Sequence, residues 1–149
     1  MTEDHDLPDP PADVTVEPAT PDDRLDVLRI LDAAMLETDA DAVDDRIAAS
    51  DALVARSTRT GGVVGALVAV RPDPDRLHVD AVAVRRARRG RGIGSALVAA
   101  AVDRGESDPA VEAVTARFDA ELSAFYEALG FAVDADGAAA GRRTGRRPA

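Results

Sequence analysis

Apolar and polar positions change period along the chain, and each change marks an element. Val14-Thr-Val-Glu-Pro18 alternates over a short run and predicts a first strand closed by proline. Thr20, Pro21, Asp22 and Asp23 then form a helix start: a capping side chain, a proline suited to the first helical position, and two acids at the positive end of the helix dipole. Leu25, Leu28, Leu31 and Met35 recur at helical spacing and predict one buried stripe through about Leu36, while Val43 and Ile47 predict a shorter helix over 42–49. From Ala52 the period shortens. Residues 52–56 and 63–70 flank a Gly-containing loop and read as a hairpin, and 77–84, after the turn Arg71-Pro-Asp-Pro-Asp75, read as a third, central strand of a meander. An arginine-rich loop leads into a helix over 92–104 with Leu97, Ala100 and Ala101 on one side; Gly105 and Pro109 end it. Residues 111–117 predict a strand, Asp119 an N-cap for a helix over 120–129, Gly130 its stop, and 131–133 a last strand. The tail, with four arginines among Gly and Pro, reads as either a solvated end or a short seventh strand.

Composition narrows the chemistry. With 149 residues the chain suits one domain, and with aromatics at only 3% the core must be built from Ala, Val and Leu. There is no Cys, so disulfides, thiolate metal sites and Cys nucleophiles are excluded, and two histidines (His5 and His78) cannot form an all-His metal site; no metal is expected. All 18 basic residues are Arg. Without Lys there is no P-loop of the usual type, no Schiff-base chemistry and no kinase-type strand lysine. The N-terminal residues 1–13 are acidic and proline-rich, unlike a signal peptide, and read as a disordered arm ahead of a domain spanning 14–141, with 142–149 as an arginine-rich tail. No apolar run approaches the ~20 residues of a spanning helix, so a cytoplasmic protein without membrane contact is expected. The formal net charge is −10, mostly from Asp. An Asp-rich, Lys-free make-up matches a halophilic cytosol, where ~1 M salt screens charge over roughly 3 Å; a GC-rich genome gives the same bias.

Against this acidity, the positive charge is concentrated. Arg85, Arg86, Arg88, Arg89 and Arg91 lie in one loop, and Arg142, Arg143, Arg146 and Arg147 in the tail. A basic loop just ahead of a helix, interleaved with Gly90, Gly92 and Gly94, is suited to an anion: the helix start adds unpaired N–H groups, and the glycines allow close approach. A dinucleotide loop is excluded because Ser95 stands where its third glycine is required and a meander precedes it. The net acidity, the few aromatics and the lack of a basic stripe argue against nucleic acid.

The run Arg89-Gly-Arg-Gly92-Ile-Gly94, preceded by Val82-Ala-Val84, resembles motif A of the GNAT superfamily of acyl-CoA-dependent N-acyltransferases, whose loop reads [Q/R]xxGx[G/A]. Downstream, Asp119 to Phe131, with Tyr126 and Gly130-Phe131, is similar to that superfamily's second motif, although Asp119 stands where Asn is common. The resemblance covers about Val14 to Val133. It implies an α/β (α+β) fold with a mixed, mostly antiparallel sheet of about six to seven strands flanked by about four helices. It further implies acetyl-CoA as cosubstrate, held in a V between two splayed parallel strands. In that picture the backbone of Val82, Ala83 and Val84 meets pantetheine, and the loop from Arg89 and Gly90 through Arg91, Gly92, Ile93, Gly94 and Ser95 grips the pyrophosphate, with Asp119 and Tyr126 nearby.

The expected activity is N-acetyl transfer from acetyl-CoA to a primary amine in a ternary complex; the alternative is a non-catalytic acyl-CoA sensor. The family position makes Tyr126 the general acid, beside its other possible role of core packing with Phe125 and Phe131. His78 and Asp80 are candidate bases because alternation puts them on one face with Val82, or else they are polar residues near a strand end. Glu37, Asp39, Asp41, Asp44 and Asp45 cluster where the family binds its acceptor and suit a cationic amine, small or on a protein, as well as a salt-adapted surface. A monomer or homodimer is expected.

Overall fold

The computed structural model describes residues 8–34, 39–134 and 142–148. In chain order they form β1 (Val14–Pro18), α1 (Arg24–Ala33), α2 (Ala40–Ala48), β2 (Ala52–Ser57), β3 (Val63–Asp73), β4 (Arg76–Val84), α3 (Ile93–Glu106), β5 (Ala113–Asp119), α4 (Ser123–Ala128), β6 (Ala132–Asp134) and β7 (Arg142–Pro148). The strands make a 7-stranded sheet in the order β1-β2-β3-β4-β5-β7-β6. β4 and β5 are parallel and every other neighbouring pair is antiparallel, so the expected mixed α/β architecture is present. Each face of the sheet buries one apolar layer. Ile93, Leu97, Val98 and Val102 of α3 pack with Tyr126 and Leu129 on one side, and Val27, Ile30 and Leu31 of α1 pack with Val43 and Ile47 of α2 on the other. The small residues of β3 let α3 lie close: a Cβ on Gly65 would meet Leu97 Cδ1 at 3.1 Å.

Three expectations change. The buried stripe of α1 is Val27, Ile30 and Leu31, so Leu31 holds while Leu25 is 54% exposed, because steps of three residues fall about 60° short of a turn and carry the 25–28–31 series round the helix, away from the face centred on Val27 and Ile30; Met35 and Leu36 lie outside the described residues. The tail supplies β7, inserted between β5 and β6, so the folded unit extends past residue 141. Gly145 lies under Phe118 and Phe131, and Arg147 is buried, its Nε donating to the Leu129 carbonyl (3.0 Å) and its guanidinium to Glu106 (2.7 Å). The predicted arm is described only from Pro8; by Pro11 it is already tied down, its carbonyl accepting from the Val14 N–H.

The third change concerns β4. The β3–β4 register pairs Ala69 with Val79 and Val68 with Ala81, leaving Asp80 as an extra, bulged residue. Before the bulge Leu77 and Val79 face the α3 layer; after it Val82 and Val84 do, and Ala81 and Ala83 turn to the α1 layer. Simple alternation therefore fails, and His78 lies on the opposite face from Val82.

Candidate functional site

β4 and β5 stay in register only from Arg76 opposite Ala113 to Val79 opposite Ala116. Beyond that pair the strands part, and the β5-facing edge of β4 from Asp80 to Val84 has no strand partner among the described residues. The opening leads into a cleft of about 710 Å³ whose lining includes Val82, Ala83, Val84, Arg89, Gly90, Gly92, Ile93, Gly94, Ser95, Asp119 and Tyr126. Most of the expected cofactor-contacting residues are thus brought together; Arg91 is exposed in the same loop but is not in the lining.

The loop's glycines account for its shape. Gly90 and Gly92 have φ of 77° and 84°, and a Cβ at either would find nothing within 4 Å. An L side chain there would strain the backbone and stand in open space where a ligand would approach. Gly92 caps α3, whose first internal bond runs from the Ala96 N–H to the Gly92 carbonyl, leaving the N–H groups of Ile93, Gly94 and Ser95 free to donate to an anion. The five loop arginines divide. Arg85 donates to the Val63 carbonyl (2.7 Å), Arg88 pairs with Asp13 (3.8 Å) and Arg89 reaches the Val84 carbonyl (3.3 Å). Arg86 and Arg91 have no ion pair among the described residues and are exposed, but neither is in the cleft lining, where the loop's arginines are Arg88 and Arg89. A Cβ-free cradle, donor N–H groups and the guanidinium groups of Arg88 and Arg89 in the lining together fit a pyrophosphate-bearing group such as coenzyme A.

Tyr126 occupies the point where the strands part. It is 2% exposed, its ring stacked on Phe118 (centroids 4.0 Å) and edge-on to Phe125 and Phe131. Burial pushes its pKa up to about 12, so the phenol keeps its proton throughout the neutral range. Its hydroxyl has no hydrogen-bond partner among the described residues. Asp119 ends β5 on the same cleft but its side chain does not cap the following turn, contrary to expectation.

Continuous with this cleft is a smaller one of about 120 Å³ at the apex, lined by Asp80, Val82, Arg117, Asp119 and Tyr126 among others. Asp80 is therefore at the site. His78 lines neither cleft; it lies in the paired part of β4 with Nδ1 2.8 Å from Thr115 Oγ1, and burial, aided by Arg76 and Arg117 against the opposing pull of Asp80, lowers its pKa. Arg117 was not singled out from the sequence, since nothing in a strand's own pattern says where its partner strand departs. Of the acidic cluster, Asp39 caps α2 by accepting the Asp41 N–H (3.0 Å), and Asp44 is paired to Arg24; Glu37 lies outside the described residues. A further cavity of about 490 Å³ between α3 and β1–β2 includes Arg71 and Arg104, but both are committed to the buried carboxylate of Asp51.

Comparison with known sequences decides the family: the model of the Acetyltransferase (GNAT) family matches residues 24–131. The chain belongs to the GNAT acetyltransferase family. No curated protein matches it in sequence. Among solved structures it is similar to Ard1 from Thermoplasma volcanium (21% identity, TM-score 0.75, covering 92% of this chain and 98% of that one). It is also similar to Rv2747 from Mycobacterium tuberculosis in complex with CoA (19%, 0.74, 91% and 99%). A third is Arabidopsis thaliana Naa50 bound to a bisubstrate analogue (17%, 0.71, 91% and 99%). These likenesses show the GNAT fold. No helix among the described residues of this GNAT chain is long and apolar enough to cross a membrane.

Proposed function

We propose that this protein is an N-acetyltransferase that moves an acetyl group from acetyl-CoA directly to a primary amine in a ternary complex. The observation that carries this reading is the meeting, in one cleft, of the open β4 edge, the glycine loop and Tyr126. Acetyl-CoA supplies an activated thioester: the amine's lone pair forms the C–N bond, the C–S bond breaks with its electrons on sulfur, the thiolate takes a proton, and the ammonium has released one. The protein's contribution is placement and charge. The backbone of Val82 to Val84 offers donors and acceptors along the cleft, including toward the developing oxyanion. Tyr126, held protonated by burial, donates a hydrogen bond to the departing sulfur.

On the acceptor side Asp80 attracts the ammonium form and His78 takes up its proton through water, since burial keeps the imidazole neutral at pH 7. Release of thiol from acetyl-CoA in the presence of an amine panel tests the reading. Thiol release that depends on both the amine and the intact loop is expected. Tight acetyl-CoA binding with no turnover on any amine would instead favour a sensor.

A further inference from the structure

The apex of the V is flanked by two side chains of opposite charge, Asp80 and Arg117. Val79 and Ala116 are the last paired residues of β4 and β5, so Asp80 and Arg117 are the first residue beyond the ladder on each strand and flank the opening from opposite sides. Both line the 120 Å³ cleft beside Tyr126. They carry opposite charge, yet neither has an ion pair, with the other or with any described residue. Arg117 follows Thr115 on the face of β5 turned away from the layer of Val114, Ala116 and Phe118, and Thr115 is the partner of His78. Arg117 therefore shares the face of Thr115 and His78, and the carboxylate of the bulged Asp80 lines the same small cleft as its guanidinium.

We infer that the acceptor is a small zwitterion of the α-amino-acid type, its ammonium drawn to Asp80 and its carboxylate held by Arg117. This rests on the acetyltransferase reading and narrows its substrate class. A guanidinium matches a carboxylate in shape as well as charge and can bind it through two parallel N–H···O bonds. A diamine would supply no carboxylate for Arg117 and would bring a second cation into the cleft that its guanidinium lines. An amine whose neighbouring carboxyl is an amide would leave the guanidinium without its anion.

The test uses the full chain, with glycine, alanine, serine and glutamate offered as free acids and as α-carboxamides, and putrescine as the diamine. Thiol release from acetyl-CoA gives kcat/KM, and calorimetric titration of each acid into the CoA-saturated protein gives binding apart from turnover. The best free acid should exceed its amide by about tenfold or more. Arg117→Gln should raise the acid's KM and bring the acid-to-amide ratio to about one, while Arg117→Lys restores part of it. Arg117 is exposed and lies outside the larger cleft, so both variants should fold and bind acetyl-CoA as the native chain does. Amides or putrescine used as well as the acids, or a ratio unmoved by Arg117→Gln, would overturn the assignment. So would acetyl-CoA binding without turnover or binding of any acid. Failure to bind acetyl-CoA at all would overturn the acetyltransferase reading itself.

Discussion

Replacing Tyr126 with Phe removes one oxygen from a ring that packs against Phe118, Phe125 and Phe131 and keeps all three contacts. Because the hydroxyl has no hydrogen-bond partner among the described residues, its loss should change stability by less than about 1 kcal/mol in either direction. Its loss from the reaction should cost far more. A hydrogen bond to a charged acceptor contributes about 1.5–3 kcal/mol, so kcat should fall roughly 10- to 150-fold. Complete proton transfer is a different matter: between a phenol at about 12 and a thiol near 8.5, the gap is about 3.5 units or roughly 5 kcal/mol, so donation without full transfer is favoured. The pH–rate profile should accordingly show no tyrosine limb up to about pH 11. The same shift has a stability consequence. The folded state holds the proton to about 12 and the unfolded chain to about 10, so this contribution is complete below pH 10 and lost as pH rises through 12. The Phe variant lacks that loss and should unfold at higher pH. Thiol release at saturating acetyl-CoA, calorimetric acetyl-CoA binding and alkaline melting read these effects separately. A kcat within twofold of the native value, with binding unchanged, would refute the role given to the hydroxyl.

Three further outcomes are expected. His78→Gln should lower kcat and remove the acidic limb of the native pH–rate profile; because burial lowers the His78 pKa, that limb lies below 6.5, and a native limb above it would contradict the assignment. Gly105→Ala places a methyl where its Cβ meets Val114 Cγ2 at 2.7 Å, so overpacking should outweigh the gain in helix propensity and cost about 1–2 kcal/mol, read as a Tm lower by roughly 3–6 °C. If the acidic composition is an adaptation to salt, Tm should rise between dilute buffer and molar salt as screening shortens from about 10 Å to about 3 Å; a flat curve would leave genome composition as its explanation.

What the sequence made legible is local. The glycine loop could be read because its backbone demands glycine at particular positions, and the β2–β4 meander because its strands are apolar and separated by strong turn residues. The Asp80 bulge could not, since a register belongs to two strands and β4's own spacing still looks regular. That is why His78, Asp80 and Val82 read as one face when the fold turns His78 away from Val82. Strand β7 was obscured for a related reason. Its inward positions are Gly145 and Arg147, one filled by neighbouring aromatic rings and the other by hydrogen bonds to Leu129 and Glu106, so no apolar period announces it. Arg117 is an unremarkable strand residue until the departure of β4 from β5 leaves it beside the apex.

The central claim is that the cleft between β4 and β5 is an acetyl-CoA site gripped by the glycine loop, and a thermal shift supported by calorimetry tests it most directly. In molar salt, acetyl-CoA at 100 times its dissociation constant should stabilise the native protein by about 2.7 kcal/mol. Gly92→Glu should abolish this, because it places a strained, negatively charged side chain at a position where φ is 84° and the ligand must approach. Folded native protein that shows no shift, or a Gly92→Glu variant that binds equally well, would contradict the account.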